Sequence, residues 1–144
     1  MLIYIIRHGE TYGNINGDGF SETDLTPNGM RQIAFLGKRF KDTEIDKPLV
    51  VDFSLLEKVT DPDYSGLPDE EILKLSPYAK ISERKALGKE DDEKAYSRAK
   101  EFIERIKAEN EFDSTVVVVA HGTFNSFLVL AALDFPLKEN FNFS

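Results

Sequence analysis

Two short aliphatic runs, Leu2-Ile3-Tyr4-Ile5-Ile6 and Thr115-Val116-Val117-Val118-Val119-Ala120, constrain this chain more than any other feature. Each is short and rich in β-branched residues, so each reads as a buried strand rather than a helix. Near-continuous apolar strands belong to parallel sheets covered by crossover helices. Both runs end in His-Gly, at His8-Gly9 and His121-Gly122, and these are the chain's 2 histidines. Ligands of open α/β sheets bind beyond the carboxyl ends of the strands. Both histidines are therefore expected at one site.

The residues at the first strand end suit an anion. Arg7 offers a planar, permanently charged fork of donors that matches phosphate or carboxylate. His8 offers a ring nitrogen that can act as nucleophile or base near neutral pH. Gly9 lets the backbone turn and approach a small ligand closely. Two histidines with Glu10 or Glu57 could instead ligate a metal, but Arg7 beside them would repel the cation. No metal and no cofactor is expected.

Between the two strands the chain alternates punctuation with helical patterns. Residues 11–24 carry Gly13, Asn14, Asn16, Gly17, Asp18 and Gly19 and read as a loop. Thr26 as N-cap and Pro27 at the first helical position start a helix. Met30, Ile33, Ala34, Gly37 and Phe40 form its apolar face, and Lys38, Arg39 and Lys41 suit its C-terminal end. Leu49, Val51, Phe53 and Leu55 alternate, which predicts a strand over 49–57. A short helix is expected over 69–75, stopped by Pro77, with irregular chain over 76–89. A long helix over 91–109 buries Ala95, Ala99, Phe102, Ile103 and Ile106 and turns its many charges, including a Glu101–Arg105 pair, to solvent. After the second strand, Thr123 is expected to cap a helix through Leu133. The N-terminal amides of that helix would face an anion beside His121.

A length of 144 residues suggests a single domain over 1–144. The absence of cysteine removes disulfides, thiol catalysis and cysteine-ligated zinc. A net charge of −8 and the lack of a basic run make nucleic acid and anionic membranes poor partners. The opening residues lack the pattern of a signal peptide, and no apolar run approaches membrane-spanning length. A cytoplasmic protein is the simplest expectation.

The motifs together resemble the histidine phosphatase superfamily, which includes the cofactor-dependent phosphoglycerate mutases. Its opening signature is matched by Arg7-His8-Gly9-Glu10-Thr11, by Asn14, and by Leu25-Thr26 with Gly29 and Gln32. Its second signature, a Val-rich strand followed by His-Gly, is matched by Val116 to Gly122. Leu55-x-Glu57, Gly66-Leu67 and Glu70-Glu71-Ile72 resemble the family's acid-bearing segment more loosely.

The resemblance implies a compact three-layer α/β/α sandwich with a small, mainly parallel sheet. It also implies a phosphatase that hydrolyses a small phosphorylated metabolite through a phosphohistidine on His8. Arg7 would clamp the phosphate, His121 would stabilise the developing charge, and Glu57 would donate the proton. Asn14, Gly122 and Thr123 would complete the substrate-binding set. The Gly9 carbonyl would fix the His8 ring, and Glu10 would belong to the signature loop rather than to the chemistry.

The sequence departs from the family in one place. There is no arginine between Lys41 and Arg84, where the family carries a strand–helix unit with a second phosphate-binding arginine. Arg31, Arg39 and Arg84 are the candidate substitutes, none of them supported by a motif. The departure keeps a second expectation open: a catalytically weak or inactive relative that binds phosphate as a regulatory module. A mutase ranks below both. A sheet that has lost a unit would expose an edge able to pair with a second copy, making a homo-oligomer.

Overall fold

The computed structural model describes residues 1–16, 24–45, 49–58, 70 and 90–137. The expected short helix over 69–75, the irregular chain over 76–89, Arg84 and residues 138–144 lie outside the described residues, Glu70 excepted. The chain forms two compact units. The first comprises Met1–Arg7, Glu44–Lys58 and Glu90–Ser144; the second comprises His8–Thr43 and Val59–Lys89.

In the first unit, β1 (Leu2–Arg7) and β2 (Thr115–Ala120) pair in parallel. The register runs from Leu2 opposite Thr115 to Arg7 opposite Ala120. The α/β class and the parallel pairing expected from the two aliphatic runs are both present. Strand residues alternate between faces, so Val118 and Ala120 enter the core while Val119 remains half exposed.

Two helices fill that core, α3 (Asp92–Glu109) and α4 (Gly122–Ala132). Asp91 caps α3 by accepting from the Lys94 amide at 2.8 Å, and Asp92 and Glu93 place negative charge at its positive end. The stripe Ala95, Ala99, Phe102, Ile103 and Ile106 is buried, as its spacing predicts. It packs with Phe124, Phe127, Leu128 and Ala131 of α4 and with Val118 and Ala120 of the sheet. Burying each large side chain contributes roughly 1.5–3 kcal/mol. Arg105 bonds Asp52 at 2.5 Å, rather than serving the expected pair with Glu101.

The strand expected over 49–57 is not formed. Leu49, Val50 and Val51 are largely exposed, and Phe53–Leu55 is a single 3₁₀ turn. The cause is Asp52. Its Oδ1 accepts from the Ser54 amide at 2.9 Å and the Ser54 hydroxyl at 2.5 Å. A side chain that bonds the backbone two residues ahead offers the chain a turn in place of a ladder.

In the second unit, the stretch expected to be a loop contains a short helix, α1 (Tyr12–Asn16), and Thr11 forms an antiparallel bridge with Leu25. α2 (Pro27–Arg39) starts as its sequence predicts. Thr26 accepts from the Gly29 amide at 3.0 Å, Pro27 opens the first turn, and Lys38 and Arg39 sit in the last. Its apolar face differs from expectation: Met30 and Ile33 are exposed, and Gly29 is the helix's buried residue. The helix is held by its first turn. A Cβ on Gly29 would lie 2.1 Å from the Glu10 carbonyl oxygen, and one on Gly9 would lie 2.7 Å from the Gly29 oxygen. The two glycines let the Arg-His-Gly turn and α2 meet backbone to backbone.

Candidate active site

Arg7 ends β1 opposite Ala120, which ends β2. His8 and His121 are the residues that follow directly on this last paired position. Each histidine follows the carboxyl end of its own strand.

In the second unit, His8 Nδ1 lies 2.7 Å from the Gly9 carbonyl oxygen, the contact expected from the sequence. A carbonyl only accepts, so Nδ1 carries the proton, and in the neutral ring the lone pair falls on Nε2. The loop after it is rigidly tied. Glu10 accepts from the Thr26 hydroxyl at 2.6 Å and from Asn28 Nδ2 at 3.3 Å, and its own amide donates to Gln32 Oε1 at 2.8 Å. The Thr26 amide donates to the Glu10 carbonyl at 2.9 Å. Glu10 thus joins the signature's two halves and is a scaffold residue. Asn14 is exposed, and its Oδ1 accepts from the Thr11 amide at 3.0 Å, which leaves the Nδ2 group as its donor end.

The first unit holds Arg7, Glu57, His121, Gly122 and Thr123. Arg7 is exposed, and its guanidinium lies against Gly122: a Cβ added there would stand 3.3 Å from Arg7 Cζ and Nε. Glycine at the first position of α4 leaves room for the planar group to lie on the helix end. His121 is the N-cap of α4, half buried, and its carbonyl accepts from the Asn125 amide at 2.8 Å. The helix begins earlier than expected, with Thr123 inside the first turn rather than capping it.

The cap comes instead from Glu57. Its Oε1 accepts from the Phe124 amide at 2.8 Å and its Oε2 from the Thr123 amide at 3.2 Å, while the Lys58 amide adds a third bond at 2.9 Å. A carboxylate on a helix N-terminus is favoured by the exposed N–H groups and the helix dipole. Glu57 is here in its acceptor form, occupying the amides expected to meet an anion.

Arg98 and Glu90 are the residues the sequence reading missed. Arg98 grips Glu90 through a two-pronged fork, Nε to Oε1 at 2.8 Å and Nη2 to Oε2 at 2.7 Å. Its Nη1 donates to the carbonyls of Ser54 at 2.6 Å and Leu56 at 3.0 Å, and its Cζ stands 3.8 Å above the Phe124 ring. Both side chains are largely buried, 12% and 4% exposed. The signal was available: Arg98 falls three residues after Ala95 and four before Phe102, on the apolar stripe of α3 rather than on its charged face. The charge of Arg98 is opposed by that of Glu90. Arg31 and Arg39 are exposed on α2. Among the described residues no group of three or more carboxylates and histidines is placed to hold a metal ion. No described helix is long and apolar enough to cross a membrane.

Comparison with known proteins bears on the fold and the family. Two crystal structures of phosphoserine phosphatase from Entamoeba histolytica share the fold. One is a histidine-to-alanine mutant in complex with phosphoserine, at 18% identity and a TM-score of 0.59. The other is a complex with 3-phosphoglyceric acid, at 19% identity and a TM-score of 0.61. Each likeness covers 92% of this chain and 80% of the neighbour. No curated protein matches the sequence significantly. The profile of the histidine phosphatase superfamily (branch 1) matches residues 3–54 and 55–144. The join falls just ahead of Leu55-x-Glu57, where the sequence reading places the missing strand–helix unit. The two His-Gly strand ends, the Glu10–Thr26 lock and a match along nearly the whole chain make this protein a compact member of the histidine phosphatase superfamily.

Proposed function

We propose that the chain, acting as one catalytic domain, hydrolyses a small phosphorylated metabolite through a phosphohistidine on His8. The observation that carries the reading is the Nδ1 contact of His8 with the Gly9 carbonyl, which selects the tautomer with its lone pair on Nε2. In the first step Nε2 attacks phosphorus, the phosphorus–oxygen bond breaks, and Glu57 in its protonated form gives its proton to the leaving oxygen. In the second step the Glu57 carboxylate takes a proton from water, the water oxygen attacks phosphorus, and the phosphorus–nitrogen bond breaks to restore His8. The position of Glu57 on α4, accepting through both oxygens, suits this second step.

Arg7 holds two phosphoryl oxygens, and charged His121 stabilises the third. The donor end of Asn14 and the Gly122 amide complete the binding set. The phosphatases of like fold are phosphoserine phosphatases, so phosphoserine is the first natural ester to offer this chain. A net charge of −8 supports a small anion held in a local positive site over nucleic acid or an anionic membrane. A homo-oligomer would form by pairing of a sheet edge with a second copy. A cytoplasmic setting fits such a substrate.

One observation favours a second reading, a catalytically weak or inactive phosphate-binding relative. No arginine occurs between Lys41 and Arg84, and losing one charge-stabilising donor costs about 10²–10³ in rate. Turnover of an aryl phosphate that vanishes in His8→Ala supports the phosphatase. Vanadate binding without turnover supports the binding module. Arg31→Ala, Arg39→Ala and Arg84→Ala then show whether a replacement arginine has come from elsewhere.

A further inference from the structure

We propose that Arg98 is the positioning residue for the proton-transfer carboxylate: it holds the segment before Glu57 so that Glu57 docks on the N-terminus of α4. The inference rests on the phosphatase reading with Glu57 as acid and base.

The contacts form a closed ring. The carbonyl of Leu56 belongs to the peptide link that leads into Glu57, and Arg98 Nη1 holds that oxygen at 3.0 Å and the Ser54 oxygen at 2.6 Å. The orientation of that peptide sets the direction in which the Glu57 side chain leaves the backbone. Glu57 then reaches the Phe124 amide at 2.8 Å. The ring of the same Phe124, fully buried, lies under the Arg98 guanidinium at 3.8 Å. Arg98 therefore touches both the segment that presents Glu57 and the residue that receives it. Glu90 orients the guanidinium from the other side through two parallel bonds.

A buried ion pair is weak evidence for stability, because desolvation offsets the attraction. An ion pair alone would also need only one fork. Here the third nitrogen, Nη1, is spent on the Ser54 and Leu56 carbonyls ahead of Glu57, which is a positional task. Lysine cannot perform it: an ammonium has no planar fork and cannot serve Glu90, Leu56 and the Phe124 face at once.

The test is Arg98→Lys, confirmed folded by its unfolding temperature and read two ways. The first readout is amide hydrogen exchange at Phe124 and Thr123, which needs no substrate. The expected result is faster exchange at these two amides with α3 and the sheet unchanged. The second is the single-turnover rate of phosphoryl transfer to His8 from an alkyl phosphate against an aryl phosphate. A poor leaving group needs the acid in this step and a good one does not, so the rate should fall on the order of 10²-fold for the alkyl ester. It should change little for the aryl ester, with substrate affinity preserved for both. Unchanged Phe124 exchange, equal slowing of both esters, or a loss confined to substrate affinity would each overturn the proposal. A wild type that turns over neither ester overturns the phosphatase reading, and the exchange readout then decides the docking claim by itself. Should Arg98→Lys fail to fold, Glu90→Gln, which loosens the fork while keeping volume, carries both readouts.

Discussion

The carboxylate of Glu57 caps α4 from outside the helix, accepting the Phe124 amide at 2.8 Å. His121, the N-cap residue itself, supplies no side-chain cap, so the task falls to Glu57. The same acid therefore has a structural task and, in the proposed mechanism, a chemical one. Glu57→Ala removes both. It should lower stability by about 0.5–2 kcal/mol, the usual value of a lost cap. It should also slow alkyl phosphate hydrolysis on the order of 10²–10⁴-fold. Glu57→Gln keeps an acceptor oxygen, so it should lose the rate while recovering most of the stability. Urea unfolding and kinetics on both variants separate the two tasks.

Gly29 and Gly37 lie on the same helix and should respond oppositely to alanine. A methyl on Gly29 meets the Glu10 oxygen at 2.1 Å, whereas one on Gly37 meets nothing within 4 Å. Gly29→Ala should destabilise by about 1–3 kcal/mol through overpacking and should reduce turnover, because it pushes on the turn that carries His8. Gly37→Ala should stabilise by roughly 0.5–1 kcal/mol. Thermal unfolding of the pair is sufficient to check both signs.

Asp52 links stability to pH. Burial opposes its charge, but hydrogen bonds from the Ser54 hydroxyl, Arg105 and the Ser54 amide, with the charge of Arg105, outweigh that effect and hold its pKa below the ordinary 3.8. A folded value below the unfolded one gives stability that is present above the unfolded value and is lost as pH falls through the folded one. Asp52→Asn keeps the turn and discards the charge. The stability gap between wild type and Asp52→Asn should be flat from pH 7 down to about pH 5 and close at lower pH. A gap that widens in acid would contradict this.

Asp134 closes α4 in the left-handed region, at φ 58. Phe135 N donates to the Leu130 carbonyl at 2.9 Å and Asp134 N to the Ala131 carbonyl at 3.2 Å, a helix ending that favours glycine. Asp134→Gly should raise stability by up to about 1 kcal/mol without altering turnover, as chemical denaturation with an activity check would show.

The elements legible in sequence are those fixed by local chemistry. The two aliphatic strands, the Thr26–Pro27 helix start and the α3 stripe each follow from a period or a cap, and each stands where its residues predict. The errors have tertiary causes. Leu49 to Leu55 alternates like a strand, but Asp52 folds it into a turn that Arg98 and Arg105 hold. Thr123 has the chemistry of a cap, but a carboxylate 66 residues earlier supplies the acceptors. Arg98 resembles one more surface charge in sequence because its partners, Glu90, Ser54 and Leu56, come from three places in the chain. Gly9 suits the close approach of a ligand, and it also makes room for Gly29, a contact that no local pattern announces.

The central claim is a covalent phosphoryl group on His8. The most direct measurement is to mix the protein with an aryl phosphate radiolabelled in its phosphate, quench within the first turnover, and assay the protein for bound phosphate. The account predicts label that is stable in alkali, released in acid, absent in His8→Ala and retained longer in Glu57→Gln, where water is not activated. Release of product with no label on the protein, or label that persists in His8→Ala, would contradict it.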